Sequence, residues 1–391
     1  MSKFDAVVIG SGTGGLSAAL SLATAGKKIL LLEQHNVPGG CATSFVRERF
    51  EFDASLHEFC SLGYPGNWAT TGKLLMEKYR LNIDWCLVPD LYRCIGTTRS
   101  GKHFDLRFPC GIEPFIKAME EAVPGCEKPV RTFIELAEEC SAAYDYFNDH
   151  MLDGVDKKGF TYVDEGLFMK KYPNFLRMAE YPFNKVLRKI GMPEDAIDIL
   201  DVYWTYIGAD YERTSFVHQA WMMLMYIKYY PAICKRTSHE LTAAGNRRLY
   251  ELGAEVWLNT KAHKVVSDDN GKIIGVETDA GFVETNYVIA NMNPQDAYTK
   301  LLDKRIKVPV REIKRLNAEK HGVRFFEAYV GLNRSVDELG IKDYTIFMPG
   351  VLDNTTNFAW SKSMDLNTHS VVVIYNIARS EERRVGKECR S

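Results

Sequence analysis

Phe4-Asp5-Ala6-Val7-Val8-Ile9-Gly10-Ser11-Gly12-Thr13-Gly14-Gly15 is the stretch that decides how this chain folds. Residues 4–9 are short, apolar and rich in β-branched side chains, as expected of a strand buried on both faces of a parallel sheet. They run into a GxGxxG turn made by Gly10, Gly12 and Gly15. Gly10 permits the sharp exit from the strand, Gly12 lets a pyrophosphate approach the backbone, and Gly15 lets the next helix pack on the strand. That helix is expected over residues 14–25, with Leu16, Ala19, Leu20 and Ala23 at helical spacing and Gly26 at its end. Its first residues, Thr13 and Gly14 among them, offer free N–H groups and the positive end of the helix dipole to phosphates. A second strand, residues 28–32, ends at Glu33, which stands 18 positions after Gly15. A carboxylate there is placed to accept hydrogen bonds from adenosine ribose hydroxyls, and it repels a 2′-phosphate. Strand, glycine turn, helix, strand and acid in this order predict an ADP-binding unit.

Six residues after Glu33 come Gly39 and Gly40, within Val37-Pro38-Gly39-Gly40-Cys41-Ala42-Thr43-Ser44. A second glycine pair lets the backbone pass close to the cofactor again. On residues 5–32, Leu32-Glu33-Gln34, Pro38-Gly39-Gly40 and Phe50-Glu51-Phe52-Asp53, the chain resembles the FAD-dependent family of phytoene desaturases, carotenoid isomerases and retinol saturases. The resemblance implies FAD as cofactor. The implied contacts are Gly10, Gly12, Thr13, Gly14, Gly15, Glu33, Gln34, Gly39, Gly40, Cys41, Ala42 and Thr43, with Val265 near the adenine. It also places residues 52–57 near the flavin ring, although Ser55 stands where the family usually has a glycine. His57 and Glu58 are the nearest candidates for an acid or base, inferred from Asp53. His263, two residues before Val265, reads as a candidate adenine neighbour or, in the plainer reading, an exposed strand-end histidine.

The implied fold is α/β: an FAD-binding Rossmann-type domain of the glutathione-reductase kind with an interleaved α+β substrate domain. The boundaries read as 1–63 and 237–305 for the FAD domain and 64–236 and 306–379 for the substrate domain. Within the latter, a helix is expected over 132–150, opened by a Thr132-x-x-Glu135 capping box. A second capping box, Thr237-Ser238-His239-Glu240, opens a helix back in the nucleotide domain. Strands follow over 253–258, 262–267, 272–278, 281–285 and 287–291, and strand-like runs lie at 323–332 and 370–377. Residues 380–391 are abruptly charged and read as a non-native tail. The family continues past this point with a segment that contacts the flavin, so the chain is expected to be truncated and its flavin site short of a wall.

Composition excludes several classes. A net charge of −2 argues against a nucleic-acid binder. Nine cysteines, an odd number without a Cys-x-x-Cys pair, read as free thiols, with neither a disulfide framework nor a metal site. The N-terminus lacks a signal-peptide core, and no run reaches the roughly 20 apolar residues of a membrane span. The expected setting is cytoplasmic. Aromatics crowd residues 144–206, and Phe216-Val217-His218-Gln219-Ala220-Trp221-Met222-Met223-Leu224-Met225-Tyr226 follows. These suit an apolar tunnel for a hydrophobic small-molecule substrate, or plain core packing. As a stripe the last run also has the composition to dip into a membrane surface, with Lys228 as a weak anchor.

The reaction the resemblance implies is desaturation, saturation or isomerisation of a polyene or other isoprenoid by hydride transfer at flavin N5, with the electron partner open. Two rivals share the fold: a flavin amine oxidase, and a non-catalytic lipid or protein carrier resembling the GDP-dissociation-inhibitor branch. The intact Gly10, Gly12, Gly15 and Glu33 speak against the carrier.

Overall fold

The computed structural model describes residues 3–153, 165–209, 211–319, 322, 325–363, 365 and 372–375. The predicted tail, with Phe160 and Tyr162, lies outside them. Four parallel strands form the first sheet, in the order Glu255–Trp257, Ile29–Leu32, Ala6–Ile9 and Val288–Ala290. Its two central strands are buried along their whole length, and side chains leave a strand on alternate faces. On one face Val8 and Leu31 meet Leu16 and Leu20 of the helix Thr13–Thr24, with Leu241, Ala244 and Leu249 of the helix His239–Glu251. On the other face Val7, Ile9, Leu30 and Leu32 meet Val265, Val276 and Val283. Those three come from an antiparallel meander, Ala262–Ser267, Ile273–Thr278 and Gly281–Glu284. The apolar run read as a strand buried on both sides is thus covered by helices on one side and a small sheet on the other.

The second architectural unit is a mixed sheet of Val372–Tyr375, Thr345–Leu352, Asp90–Thr98 and His103–Pro109, in that order. Helices Glu127–Asp153, Phe183–Lys189 and Phe216–Tyr229 share its core. Its strands come from two separate stretches of chain, one before and one after the return to the parallel sheet. The eight described cysteines are free thiols, and no described helix is long and apolar enough to cross a membrane.

Several sequence expectations need correction. Thr132 does not open a helix: it lies one turn inside Glu127–Asp153, and its hydroxyl donates to the Lys128 carbonyl. The second capping box starts its helix at the expected place, but its hydroxyls are used elsewhere. Thr237 bonds Glu51, and Ser238 reaches the Thr43 carbonyl. Residues 325–332 form no strand; Tyr329 instead packs its ring on Phe45 and Phe52. In the second strand-like run, the described residues Val372–Tyr375 are a strand. The run at 216–226 lies in an interior helix: Val217, Met222, Met223, Leu224 and Met225 are all buried in the large core. A side chain already packed there cannot enter a membrane surface, so core packing is the reading that holds for this stretch.

Candidate functional site

The first part of the site is a cradle of backbone. Gly10 leaves its strand at φ +90°, a conformation open to glycine, and a Cβ there would sit 2.6 Å from the Asn291 carbonyl oxygen. A Cβ on Gly15 would collide with the Gly10 carbonyl, so only glycine lets this helix come so close to this strand. The helix begins at Thr13 with Gly12 as its N-cap, a residue without a side chain to occupy the first N–H groups. Gly12, Thr13 and Gly14 all have solvent access, as an anion site requires.

The second glycine pair comes back onto the first. Gly12 and Gly39 form a parallel bridge, and a Cβ on Gly40 would stand 3.2 Å from the Gly12 Cα. Gly40 and Cys41 are exposed at this junction, whereas Ala42 is buried and Thr43 half-buried. The loop is held from behind by Thr242, whose hydroxyl donates to the Ala42 carbonyl (3.3 Å), and by His239, whose Nδ1 lies 3.3 Å from Thr43 Oγ1. The residues read as cofactor contacts on either side of Glu33 are therefore brought together.

Glu33 is 8% exposed and already engaged within the chain. Its Oε2 accepts from the Ser11 amide (2.9 Å) and hydroxyl (2.6 Å), and its Oε1 accepts from the His35 amide (2.8 Å). Gln34 points to solvent. Val265 has its side chain in the core between sheet and meander, with Ile9 and Leu32, and its carbonyl accepts from the Asp303 amide (3.0 Å). His263 is half-exposed and paired with Asp279, as a strand-end histidine should be. Asn291 was missed. It follows the strand that pairs with the first strand, its amide donates to the Ile9 carbonyl (2.8 Å), and its side chain lies over Gly12 and Gly14. A polar residue closing an apolar, strand-like run was the available signal.

The second part of the site continues from the same loop. The Ala54 amide donates to the Thr43 carbonyl (2.8 Å) and the Leu56 amide to the Cys41 carbonyl (3.4 Å). This lays residues 54–56 along the second glycine loop, and His57 and Glu58 come next. Glu58 is 6% exposed, and its Oε2 accepts from the Thr345 hydroxyl (2.9 Å). Burial pushes its carboxyl up to about 8, against the lowering effect of Thr345, so it carries a proton at neutral pH. Burial also pushes His57 down to about 4, opposed by the Ser55 carbonyl, so the ring is neutral. That carbonyl can only accept, so the His57 Nδ1 2.6 Å from it carries the proton and Nε2 holds a lone pair. His57 Nε2 and Glu58 Oε1 are both buried without a hydrogen-bond partner among the described residues. A neutral carboxylic acid and an imidazole lone pair are a complementary proton donor and acceptor.

Aromatics wall this pair. The Tyr375 ring is 3.5 Å from the His57 ring by centroids, and Tyr206 meets the same ring edge-on at 6.3 Å. The Tyr344 hydroxyl donates to the His57 carbonyl (3.1 Å). Tyr203 stacks on Tyr226 and meets Tyr206 edge-on. Burial, with the Glu58 carboxyl as a further cause, raises the phenols of Tyr203 and Tyr206 well above their ordinary value. Thr345, Tyr344 and Tyr375 were not foreseen, because nothing local marks residues so far along the chain from Glu58, 287 positions in the case of Thr345, as its neighbours.

Comparison with known proteins agrees with this layout. Residues 8–71 match the family model described as an NAD(P)-binding Rossmann-like domain. The chain is 25% identical over 353 residues to all-trans-retinol 13,14-reductase of Rattus norvegicus, covering 88% of this chain and 56% of that protein. It is 26% identical over 321 residues to the chloroplastic prolycopene isomerase 1 of an Oncidium hybrid cultivar, covering 77% and 50%. The chain spans about half the length of the curated relatives it matches. The solved structure of putrescine oxidase bound to putrescine superposes with a TM-score of 0.54 at 14% identity, covering 82% of this chain and 65% of that one. That likeness establishes the Rossmann-type fold. The resemblance read from the glycine turns and residues 50–53 thus extends over most of the chain, and the residues of the glycine cradle all lie within the stretch that matches the Rossmann-like model.

Proposed function

We propose that the dinucleotide is FAD, and that the protein desaturates, saturates or isomerises carbon–carbon bonds of a hydrophobic polyene or isoprenoid. The observation that carries this reading is the hydrogen-bonded run from the second glycine loop to His57 and Glu58. It joins a dinucleotide cradle directly to a buried acid–base pair with apolar, aromatic walls. The retinol reductase and prolycopene isomerase relatives support the substrate class. In this reading Gly10, Gly12, Thr13, Gly14 and Gly15 hold the pyrophosphate, Glu33 and Gln34 the ribose end, and Gly39, Gly40, Cys41, Ala42 and Thr43 the stretch toward the flavin. The backbone beside Val265 borders the adenine, and residues 1–63 and 237–305 form the cofactor domain.

When bound, FAD supplies the hydride chemistry. The chain's own residues do the rest. Glu58, kept protonated by burial, holds a proton at Oε1, and His57 Nε2 is the site that receives one. The tyrosines exclude water, so neither group is levelled by solvent.

The test is spectroscopic. Protein reconstituted with FAD is mixed anaerobically with retinol, a carotenoid or a small amine, in oxidised and in photoreduced form. Bleaching of the oxidised flavin or recolouring of the reduced flavin by a polyene, or a changed double-bond geometry in the recovered polyene, is expected. Bleaching by the amine alone would replace this reading with amine oxidation. Failure to retain flavin under any condition would remove the FAD assignment.

A further inference from the structure

We propose that Ser11 determines how the ribose end of the cofactor is recognised, by holding the Glu33 carboxylate so that a single acceptor position is left for a ribose hydroxyl. This rests on the dinucleotide reading of the glycine cradle. Ser11 occupies the first variable position of GxGxxG and is 0% exposed. Its hydroxyl has one hydrogen and two lone pairs. A carboxylate oxygen can only accept from it, so the hydrogen goes to Glu33 Oε2 (2.6 Å). A lone pair then takes the Gly39 amide (3.1 Å). One hydroxyl thus joins the end of the second strand to the second glycine loop, and the Ser11 amide adds a further bond to the same oxygen (2.9 Å).

The acceptor count makes this a matter of specificity. An ionised carboxylate offers about four lone-pair sites. Ser11 fills two with its amide and hydroxyl, and the His35 amide fills a third. The remaining site suits one ribose hydroxyl. Loss of the Ser11 hydroxyl frees a second site and releases the carboxylate from its fixed orientation. It also leaves the buried Gly39 amide without its acceptor.

The experiment measures binding of ADP, 2′-deoxy-ADP and 3′-deoxy-ADP to the flavin-free full chain by calorimetry. The variants are Ser11→Ala and the isosteric pair Ser11→Thr and Ser11→Val. The wild-type chain is expected to lose about tenfold in affinity for one deoxy analogue and less than threefold for the other. Ser11→Thr keeps that inequality, whereas Ser11→Ala and Ser11→Val bring the two analogues within threefold of each other. Thr and Val share one shape, so a difference between them reports the hydroxyl even if Ser11→Ala folds poorly. A merely structural role would weaken all three ligands in proportion. An unchanged analogue ratio in Ser11→Val, or equal tenfold losses for both analogues in the wild-type chain, overturns the inference. Absence of any ADP binding by the wild-type chain overturns the dinucleotide reading instead.

Discussion

At the glycine cradle the groups offered to a ligand are backbone amides and carbonyls from residues 10–15 and 39–43, two runs that follow each other closely in the chain. At Glu58 the chemistry lies in side chains drawn from residues 57–58, 203–226, 344–345 and 375. The cradle stays open to solvent, whereas the cluster is closed by aromatic rings. The first region works because side chains are absent, and the second because they crowd. A site made by removing side chains leaves its mark as glycines at fixed spacing. A site made by burial leaves none, because each contributing Tyr or Thr looks like any other core residue.

The sharpest way to break this contrast is to add a side chain to the cradle. Gly15→Val places a Cβ 1.9 Å from the Gly10 carbonyl oxygen, so the helix must move off the strand. We expect an unfolded chain, or a loss of at least about 3 kcal/mol in denaturant unfolding. A loss under about 1 kcal/mol would mean that the helix can shift freely, and that close approach is not what Gly15 provides.

A test of comparable size addresses the cluster through pH. The Glu58 carboxyl is raised from 4.5 to about 8, so its contribution to stability is whole below pH 4.5 and is lost as pH rises toward 8. Glu58→Gln does not titrate. Its stability relative to the wild-type chain should therefore improve between pH 5 and pH 8, by on the order of 3 kcal/mol. His57 works in the opposite sense: lowered from 6.5 to about 4, it is stabilising above pH 6.5 and loses that contribution as pH falls toward 4. A pH-independent difference between Glu58→Gln and the wild-type chain would show that Glu58 is solvated, and the contrast between open cradle and closed cluster would fail.

The smallest effect separates the two partners inside the cluster. Thr345→Val removes the hydroxyl that donates to Glu58 and keeps its shape, and should cost about 1 kcal/mol. Because that bond favours the ionised form, its loss should move the Glu58 transition to still higher pH. A downward movement of the transition would mean that the hydroxyl accepts from a protonated Glu58.

Much of the nucleotide half was legible before the structure. Residues 4–33 carried strand, turn, helix, strand and acid in order, and the return strands at 255–257 and 288–290 fell within the predicted runs. The misses share a cause. The hydroxyls of Thr132, Thr237 and Ser238 fit a capping pattern, yet each found a different partner. Residues 325–332 had the β-branched and aromatic content of a strand, yet the stretch is exposed, with Phe326 94% and Val330 69% so, and its Tyr329 packs on Phe45 and Phe52 of the hairpin Ser44–Arg47 and Phe50–Asp53.

The local geometry of the glycine turn is written in residues 10–15, because glycine's lack of a Cβ acts on the residue's own dihedrals and nearest neighbours. The states of Glu33 and Glu58, by contrast, follow from how the folded chain packs around them. The three internal bonds to Glu33 depend on Ser11 and on His35 meeting it at the strand end. The proton on Glu58 depends on burial against Thr345 and the tyrosine walls. An acid's charge and free lone pairs are set by what surrounds it, and in this protein most of those surroundings come from distant chain.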